Sequence, residues 1–459
     1  MREFFTKFIG PLKFISLMAD KSSQDSGEQK DITIYTTPDN HAYFCPTPGE
    51  ITRLALTPNK IGEAPDETTC KGMAECGFNA ASVWFADVSA NSSGEYPQVE
   101  TAIRNCREYG IAPFIYAYNL LRSEDTRKRL VNKFAYCDQL AGWYLGSPVY
   151  AEITENGKVH KAYNEIWTFD KDSTKGGNPD SKHITVMFEH PNEQTAEGNY
   201  RNYLIGIQNG LSPSMWGISV HPAVILQSGT NYNDYDLFYR DLQILSLISR
   251  YCERPFWYTV CCQSYKTENK GATPYPTLAE MKFSALSALA YGAQGLLYWS
   301  YRLREDEPTV FFQNAPLDRN GNKETAIWDA VKTVNSEVKA LNSVFFGSFL
   351  VDVRHTGSKQ YDATSMLTGG FGPLISLTTE DAGVLVSHLN TNGQDYLVIV
   401  NHTFRDGEPS FQNITLKFAE IWNVKRIMVS NGVAVETDLL NSTVGFLLPR
   451  AGYLIYKWS

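Results

Sequence analysis

The chain has 459 residues, of which 43% are hydrophobic and 20% are charged, and its formal net charge is −9. A negatively charged chain without a run of Lys or Arg is not typical of a nucleic-acid-binding protein. No segment reaches the ~18 uninterrupted apolar residues of a membrane-spanning helix, so no membrane span is predicted. The length exceeds that of one ordinary domain and fits a barrel followed by a smaller domain.

Residues 1–30 are predicted to be a tail outside the folded domains. They combine basic residues, an apolar region interrupted by Pro11 and Lys13, and a polar tract after Ala19. This pattern resembles a degraded export signal and predicts a periplasmic or extracellular protein. The alternative is a plain disordered tail, which leaves a cytoplasmic location open.

Residues 31–345 alternate strand-like and helix-like segments, and eight such alternations predict a (β/α)₈ barrel. Two candidates for the first strand, ITIYTTP and HAYFCPTP, lie between residues 32 and 56, and the choice between them stays open. The polar segment from Glu152 to Ser181 is predicted to be an insertion over the barrel mouth, with one helical turn near HKAYNEIW. Strand six is predicted around MWGISVHPAVI.

The segment from Arg254 to Arg302 carries the clearest pattern. RPFWYTVCCQS is short, apolar and β-branched, which is typical of a strand buried on both faces. Thr277 followed by Glu280 is a capping-box signature, and Gly292 stands where a helix C-cap requires a positive φ. GLLYWSY is a second buried strand, so the two strands should lie parallel, as in a βαβ unit.

This same segment, PTLAEMKFSALSALAYGAQGLLYWSYR, resembles the seventh helix and eighth strand of TIM-barrel glycoside hydrolases of clan A, of the β-galactosidase type. In that family a Gly-Ala-x-Gly-Leu-x-Tyr-Trp run closes the barrel and floors the sugar pocket. The resemblance extends over roughly residues 40 to 345 and implies a TIM barrel with a carbohydrate ligand or substrate.

Residues 346–459 have a different sequence pattern. Short alternating segments such as GVLVSHLN, YLVIVNHTF and GYLIYKW are separated by Gly, Asn and Asp turns. This pattern predicts a C-terminal antiparallel β-sandwich. The residues of this domain show no grouping typical of a catalytic or binding site, so a packing role is expected for the domain.

The active site of a TIM barrel lies at the carboxyl ends of its strands. Side chains predicted at these ends offer hydrogen bonds and stacking faces, which suit a hydroxyl-rich ligand. The predicted substrate-binding residues are Tyr118, Asn119, His190, His221, Gln263, Tyr265, Trp299, Tyr301 and Arg302.

Glycoside hydrolysis usually requires two carboxyl groups. The resemblance implies one after strand four and often another after strand seven. Here strand four continues as Gly142-Trp-Tyr-Leu-Gly-Ser-Pro148 without an acidic pair, and Gln263 stands at the end of strand seven. Both expected carboxylates are therefore missing.

Glu189 and Asp87 are the candidate catalytic carboxylates, because they end strands five and two. Those strands are separated by the same step around the ring as strands four and seven. In the alternative, Asp87 caps the following loop and Glu189 pairs with an Arg. Glu152, just beyond strand four, is a further candidate.

The first functional hypothesis is a glycoside hydrolase that acts on O-glycosidic bonds of an oligo- or polysaccharide. The alternative is a barrel that has lost catalysis and binds glycan without hydrolysing it. A structural protein with an unused pocket is a third interpretation. No cofactor is expected, and the oligomeric state is not predicted.

Metal binding is considered because imidazole and carboxylate groups occur at the same strand ends. His190 and His221 could join the two carboxylates around Zn²⁺, but no H-x-H or HExxH spacing supports such a site, and no metal is expected. The eight Cys all precede residue 263 without a C-x-x-C spacing, so they are predicted to be buried free thiols, with a disulfide or a metal site as alternatives.

Overall fold

A computed structural model of the chain describes residues 50–57, 64–85, 88–145, 158–181, 183–186, 234–251, 255–268, 271–272, 275–306, 308–358 and 364–459. The tail, both first-strand candidates and the predicted strand six lie outside these residues.

The part of the chain before residue 346 forms one parallel sheet and one small antiparallel sheet. Its strands are β1 (Thr52–Thr57), β2 (Ala80–Phe85), β3 (Ala112–Ala117), β4 (Gly142–Tyr144), β5 (Ile184–Val186), β6 (Trp257–Cys261), β7 (Ser264–Thr267), β8 (Gly271–Ala272), β9 (Gly295–Trp299) and β10 (Val310–Gln313). The parallel sheet has the order β5-β4-β3-β2-β1-β9-β6, and the small sheet has the order β10-β7-β8. The parallel sheet has the strand order of a TIM barrel, of which the structure describes seven strands. This order confirms the predicted fold class.

Helices follow the strands, as the crossover rule for parallel strands requires. They are α1 (Glu67–Glu75), α2 (Pro97–Glu108), α3 (Tyr118–Arg122), α4 (Glu124–Phe134), α5 (Lys158–Lys171), α6 (Asp234–Tyr251), α7 (Leu278–Ala290), α8 (Thr325–Ala340) and α9 (Asn342–Phe345). The capping box at the start of α7 is present, with the Thr277 hydroxyl and the Glu280 carboxylate each bonded to the other's backbone N–H. Gly292 has a φ of 93°, as its place after α7 predicts.

The segment from Glu152 to Ser181 was predicted to be an insertion over the barrel mouth, and for its described residues, 158–181, that prediction is wrong. It contains α5, a helix of 14 residues that connects the parallel strands β4 and β5. Ala162, Tyr163 and Ile166 are buried at helical spacing. Lys, Asn and Asp residues around this apolar stripe lowered its average hydrophobicity and hid the helix.

The first barrel strand is neither of the two candidates. Thr52–Thr57 lies between β9 and β2 and pairs in parallel with both. This strand carries Arg53, whose side chain is buried and forms an ion pair of 3.0 Å with Glu50. The guanidinium also donates to the carbonyl oxygens of Gly77 and Ile51. These partners compensate a buried charge that an apolar strand pattern does not anticipate.

The barrel interior is filled by the inward-facing residues of the strands, among them Leu54, Phe114, Trp257 and Leu297. Trp257 lies directly opposite Gly295 in the neighbouring strand. A Cβ at position 295 would come within 2.6 Å of the indole ring. The glycine therefore makes room for the largest side chain of the interior.

The C-terminal part is a β-sandwich, as predicted. Its strands are β11 (Ser348–His355), β12 (Leu374–Thr379), β13 (Val384–Thr391), β14 (Gln394–Asn401), β15 (Phe411–Phe418), β16 (Val424–Ser430), β17 (Val433–Asp438), β18 (Thr443–Pro449) and β19 (Tyr453–Trp458). A six-stranded sheet, β11-β13-β14-β19-β16-β17, packs on a three-stranded sheet, β12-β15-β18, through a shared apolar core.

The six-stranded sheet also packs against the barrel, with α7 lying on β13 and β14. Gln294, just before β9, connects the two parts: its amide nitrogen donates to Phe345 O at 3.0 Å and to Ser348 O at 3.2 Å. Its Oε1 accepts the backbone N–H of Gly347 at 2.7 Å. This buried amide therefore provides hydrogen-bond partners for backbone N–H and carbonyl groups of the segment that leads from the barrel into β11.

A buried histidine pair at this contact should make the protein sensitive to acid. His355 Nδ1 lies 3.0 Å from His402 Nε2, and the Tyr239 ring is 4.3 Å from the His355 ring. Burial and the neighbouring His402 hold the pKa of His355 well below its usual value. Since the unfolded chain binds a proton below pH ~6.5 that the folded chain excludes, stability should be complete above this pH and fall below it.

We expect the wild type to lose about 2 kcal/mol more unfolding free energy than His355→Phe between pH 7 and pH 5. Chemical unfolding at the two pH values measures this difference. His388→Asn removes a histidine outside the pair and should keep the wild-type slope. Equal slopes in wild type and His355→Phe would contradict the assignment.

Candidate functional site at the carboxyl ends of the barrel strands

Four aromatic residues occupy the last inward-facing positions of their strands: Trp84 of β2, Tyr116 of β3, Tyr144 of β4 and Trp299 of β9. We call these four residues the aromatic floor. Trp84 and Tyr116 are direct partners in the sheet, with ring centroids 5.0 Å apart. The Tyr144 ring lies 5.7 Å from that of Trp84 and nearly parallel to it. Tyr144 is buried, whereas the other three are half-buried, so apolar ring surface remains at the barrel end where TIM barrels bind ligands.

Gln263 lies beside the floor, in the turn after β6. Its side chain is only 1% exposed, and its Oε1 accepts a hydrogen bond from the hydroxyl of Ser300, which follows Trp299. The amide nitrogen is buried and has no hydrogen-bond partner in the part of the chain that the structure describes. A buried donor without an acceptor is costly, so a ligand oxygen would be a favourable partner for it.

Cys261 also lies at this end of the barrel, as the register partner of Trp299. Burial raises its pKa to about 11. The side chain is therefore a thiol at neutral pH and is a poor nucleophile. The described cysteines Cys70, Cys76, Cys106, Cys137, Cys261 and Cys262 are free.

Asn119 lies in α3, directly after β3, and its amide is already engaged. The side-chain nitrogen donates to Val88 O at 2.9 Å, and the side-chain oxygen accepts from Val88 N at 3.3 Å. These two hydrogen bonds hold the backbone of Val88, the residue that follows Asp87 in the chain. α3 begins at Tyr118, whose side chain lies outside the description.

Tyr265 and Arg302 lie near the floor in roles that the sequence did not predict. Tyr265 is on β7, where its ring is 6.2 Å from that of Phe312 on the paired strand β10. The Arg302 guanidinium donates to the backbone oxygen of Arg319 at 2.6 Å. Both side chains therefore contribute to the segment that borders the mouth.

Tyr301 is not at the mouth, and the structure corrects its predicted role. The side chain is fully buried in the layer between the strands and the helices. Its hydroxyl accepts from Trp328 Nε1 at 3.3 Å, and its ring contacts that of Phe78 at 5.1 Å. The chain turns away from the barrel axis after β9, so consecutive aromatic residues face different layers.

Arg304 is a residue that the sequence interpretation missed. Its guanidinium carbon lies 4.8 Å from the ring centre of Trp299 and 4.7 Å from that of Phe312. This cation therefore covers one side of the floor's Trp299. No local sequence signal distinguishes Arg304 from other loop arginines, whereas period-two alternation could have identified Trp84 and Tyr116.

Four predicted site residues lie outside the described part of the chain: Asp87, Glu189, His190 and His221. Their roles stay predictions. Within the described residues, no group of three or more His, Cys, Asp or Glu side chains is arranged to hold a metal ion. No helix among them is long and apolar enough to cross a bilayer.

The chain was compared with known proteins. No protein-family model and no curated protein matches the sequence. A catalytic mutant of a GH42 β-galactosidase from G. stearothermophilus aligns with a TM-score of 0.56 and 8% identity, over 89% of this chain and 98% of that one. A β-galactosidase from Bacillus circulans sp. alkalophilus gives 0.54 and 9%, over 90% and 99%.

A glycoside hydrolase of family 5 from Bacteroides vulgatus ATCC 8482 aligns with a TM-score of 0.53 and 12% identity, over 88% of each chain. The chain has the fold of TIM-barrel glycoside hydrolases. This likeness covers the barrel and the sandwich together and confirms the resemblance in fold.

Proposed function

We propose that the barrel mouth binds an oligo- or polysaccharide and that the protein hydrolyses O-glycosidic bonds of this ligand. The aromatic floor is the observation that carries the proposal. Half-buried Trp and Tyr rings at the mouth offer faces on which the apolar faces of pyranose rings can stack. The amide nitrogen of Gln263, which has no acceptor among the described residues, adds a buried donor for a sugar hydroxyl.

Glu189 and Asp87 are the proposed catalytic carboxylates. Glu189 follows β5 and Asp87 follows β2, and the strands between them are β3 and β4. Three of the four floor residues lie on β2, β3 and β4. A sugar stacked there would therefore lie between the two carboxyl groups, one of which protonates the leaving oxygen while the other attacks or activates water.

Binding without hydrolysis is the second candidate, and Gln263 is the observation that favours it. A neutral amide stands where the resemblance implies the strand-seven carboxylate, and it cannot act as a nucleophile of that kind. Its hydrogen bond with Ser300 holds it as part of the barrel end. A barrel with an intact floor and no strand-seven carboxylate could retain sugar affinity after losing turnover.

A panel of aryl glycosides and oligosaccharides, screened for product release and by calorimetry, separates these candidates. We expect Trp84→Ala to weaken sugar binding about tenfold, because it removes a stacking face worth about 1.4 kcal/mol. Trp422→Ala removes a tryptophan that is 80% exposed on the sandwich and should leave binding unchanged. Turnover of any compound supports hydrolysis, and binding without turnover supports the second candidate. If no compound is bound or hydrolysed, both candidate functions are contradicted.

A further inference from the structure

A second concave site lies between the two parts of the protein, away from the barrel mouth. It is a shallow cleft, open to solvent, between one face of α6 and strand β11, and Thr364 and Ser365 also line it. From α6 the lining includes Gln243, Ser246 and Arg250, which recur at the i, i+3 and i+7 positions of one helical face.

Arg250 brings to this cleft a charge that forms no ion pair with a described residue. Its side chain is half-buried, and the one hydrogen bond of its guanidinium to a described residue runs to Leu350 O at 3.3 Å. The Phe349 ring centre lies 5.7 Å from the guanidinium carbon. No carboxylate in the described part of the chain forms an ion pair with it. Burial lowers the pKa of Arg250, which shows that the charge is partly removed from water.

The other charges of the cleft compensate each other. Asp352 and Arg354 of β11 both line it and form an ion pair of 2.7 Å. Among the described lining residues the sum is therefore one positive charge, carried by Arg250. A partly buried cation without a counter-charge is unfavourable, and an anionic ligand would remove this cost.

Gln243 supplies the second recognition element. Its Oε1 is buried and has no hydrogen-bond partner among the described residues. Because a carboxamide oxygen accepts and does not donate, the missing partner is a donor such as a hydroxyl group. Ser246, between Gln243 and Arg250 on the same face of α6, adds a further hydroxyl.

We propose that this cleft binds a small anion that also carries hydroxyl groups, namely a sugar acid or a sugar phosphate. The guanidinium of Arg250 holds the carboxylate or phosphate group, and Gln243 Oε1 accepts from a ligand hydroxyl. The ligand contacts α6 of the barrel and β11 of the sandwich at once, so binding stabilises the contact between the two parts. Binding in this cleft is independent of activity at the barrel mouth.

Calorimetry and thermal unfolding with glucuronate, glucose 6-phosphate, inorganic phosphate and neutral glucose test this site. We expect both sugar anions to bind and to raise Tm, and glucose to bind at least tenfold more weakly. A preference between the two anions identifies whether carboxylate or phosphate is the natural group. Absence of binding by both would overturn the proposal.

Two variants locate the binding. Arg250→Gln should weaken both sugar anions at least tenfold, whereas Arg129→Gln, which removes a charge that is 68% exposed on α4, should have no effect. Gln243→Met should weaken the sugar anions and leave inorganic phosphate unchanged, and it serves independently if Arg250→Gln does not fold. Trp84→Ala should retain this binding. Anion affinity that is unchanged in Gln243→Met and in any folded Arg250→Gln would place the ligand elsewhere and refute the site.

Discussion

Glu189→Gln is expected to lower kcat by ~10²–10⁴-fold on any glycoside that the protein hydrolyses, because proton transfer by a positioned side chain contributes a factor of this size. Gln keeps the shape of the side chain and removes its ability to exchange a proton. Asp87→Asn should cause a loss of similar size, since the two carboxyl groups act in one reaction. Initial rates for purified variants with matched circular dichroism spectra provide the measurement.

The leaving group shows which of the two residues donates the proton. If Glu189 is the acid, the loss in Glu189→Gln should be much smaller for a dinitrophenyl glycoside than for a methoxyphenyl glycoside, because an acidic phenol departs without protonation. Glu305→Gln is the matched control: its side chain is 73% exposed on the segment after β9. Full activity in both Glu189→Gln and Asp87→Asn would show that the assignment of the carboxylates is wrong.

Gly142→Ala is expected to destabilise the protein by about 2–5 kcal/mol, the sum of overpacking and backbone strain. Gly142 has a φ of 152°, and a Cβ there would lie 1.8 Å from the carbonyl oxygen of Ile184. The two residues are register partners in β4 and β5, so the clash falls on backbone that cannot rotate away. Chemical unfolding of the variant measures the loss.

Gly445→Ala is the control for this substitution. Gly445 also lies within a strand, β18, but a Cβ there would meet only Ile414 O, at 4.0 Å. We expect a change of less than about 1 kcal/mol, since Ala fits without strain. If both variants unfold at the same denaturant concentration, the close approach of β4 and β5 around Gly142 does not limit stability.

The local sequence pattern was sufficient to predict most of the architecture. The apolar run at β6, the capping box at Thr277, the glycine after α7 and the apolar run at β9 predicted a βαβ unit, and the structure contains it. Alternation with turn residues likewise predicted the sandwich. These features depend on residues that are neighbours in the chain, so their physics can be read from sequence. The sequence pattern failed at α5, where polar residues surround a narrow apolar stripe, and at β1, where Arg53 and two threonines leave only three apolar residues in the strand.

The site was decided by tertiary structure. Sequence placed Trp299 and Tyr301 together at the mouth, whereas the turn after β9 buries Tyr301 against α8 and leaves Trp299 on the floor. It could not show that Gln263 meets Ser300, or that Arg304 covers Trp299. Nor could it show that Arg250 lies in a cleft between α6 and β11 without an ion pair to a described residue. The sequence by itself determined most of the helices and strands and their alternation along the chain, because helix and strand periodicity are local. Which polar groups find partners depends on residues tens of positions apart, and only the folded barrel sheet and its contact with the sandwich bring those groups together.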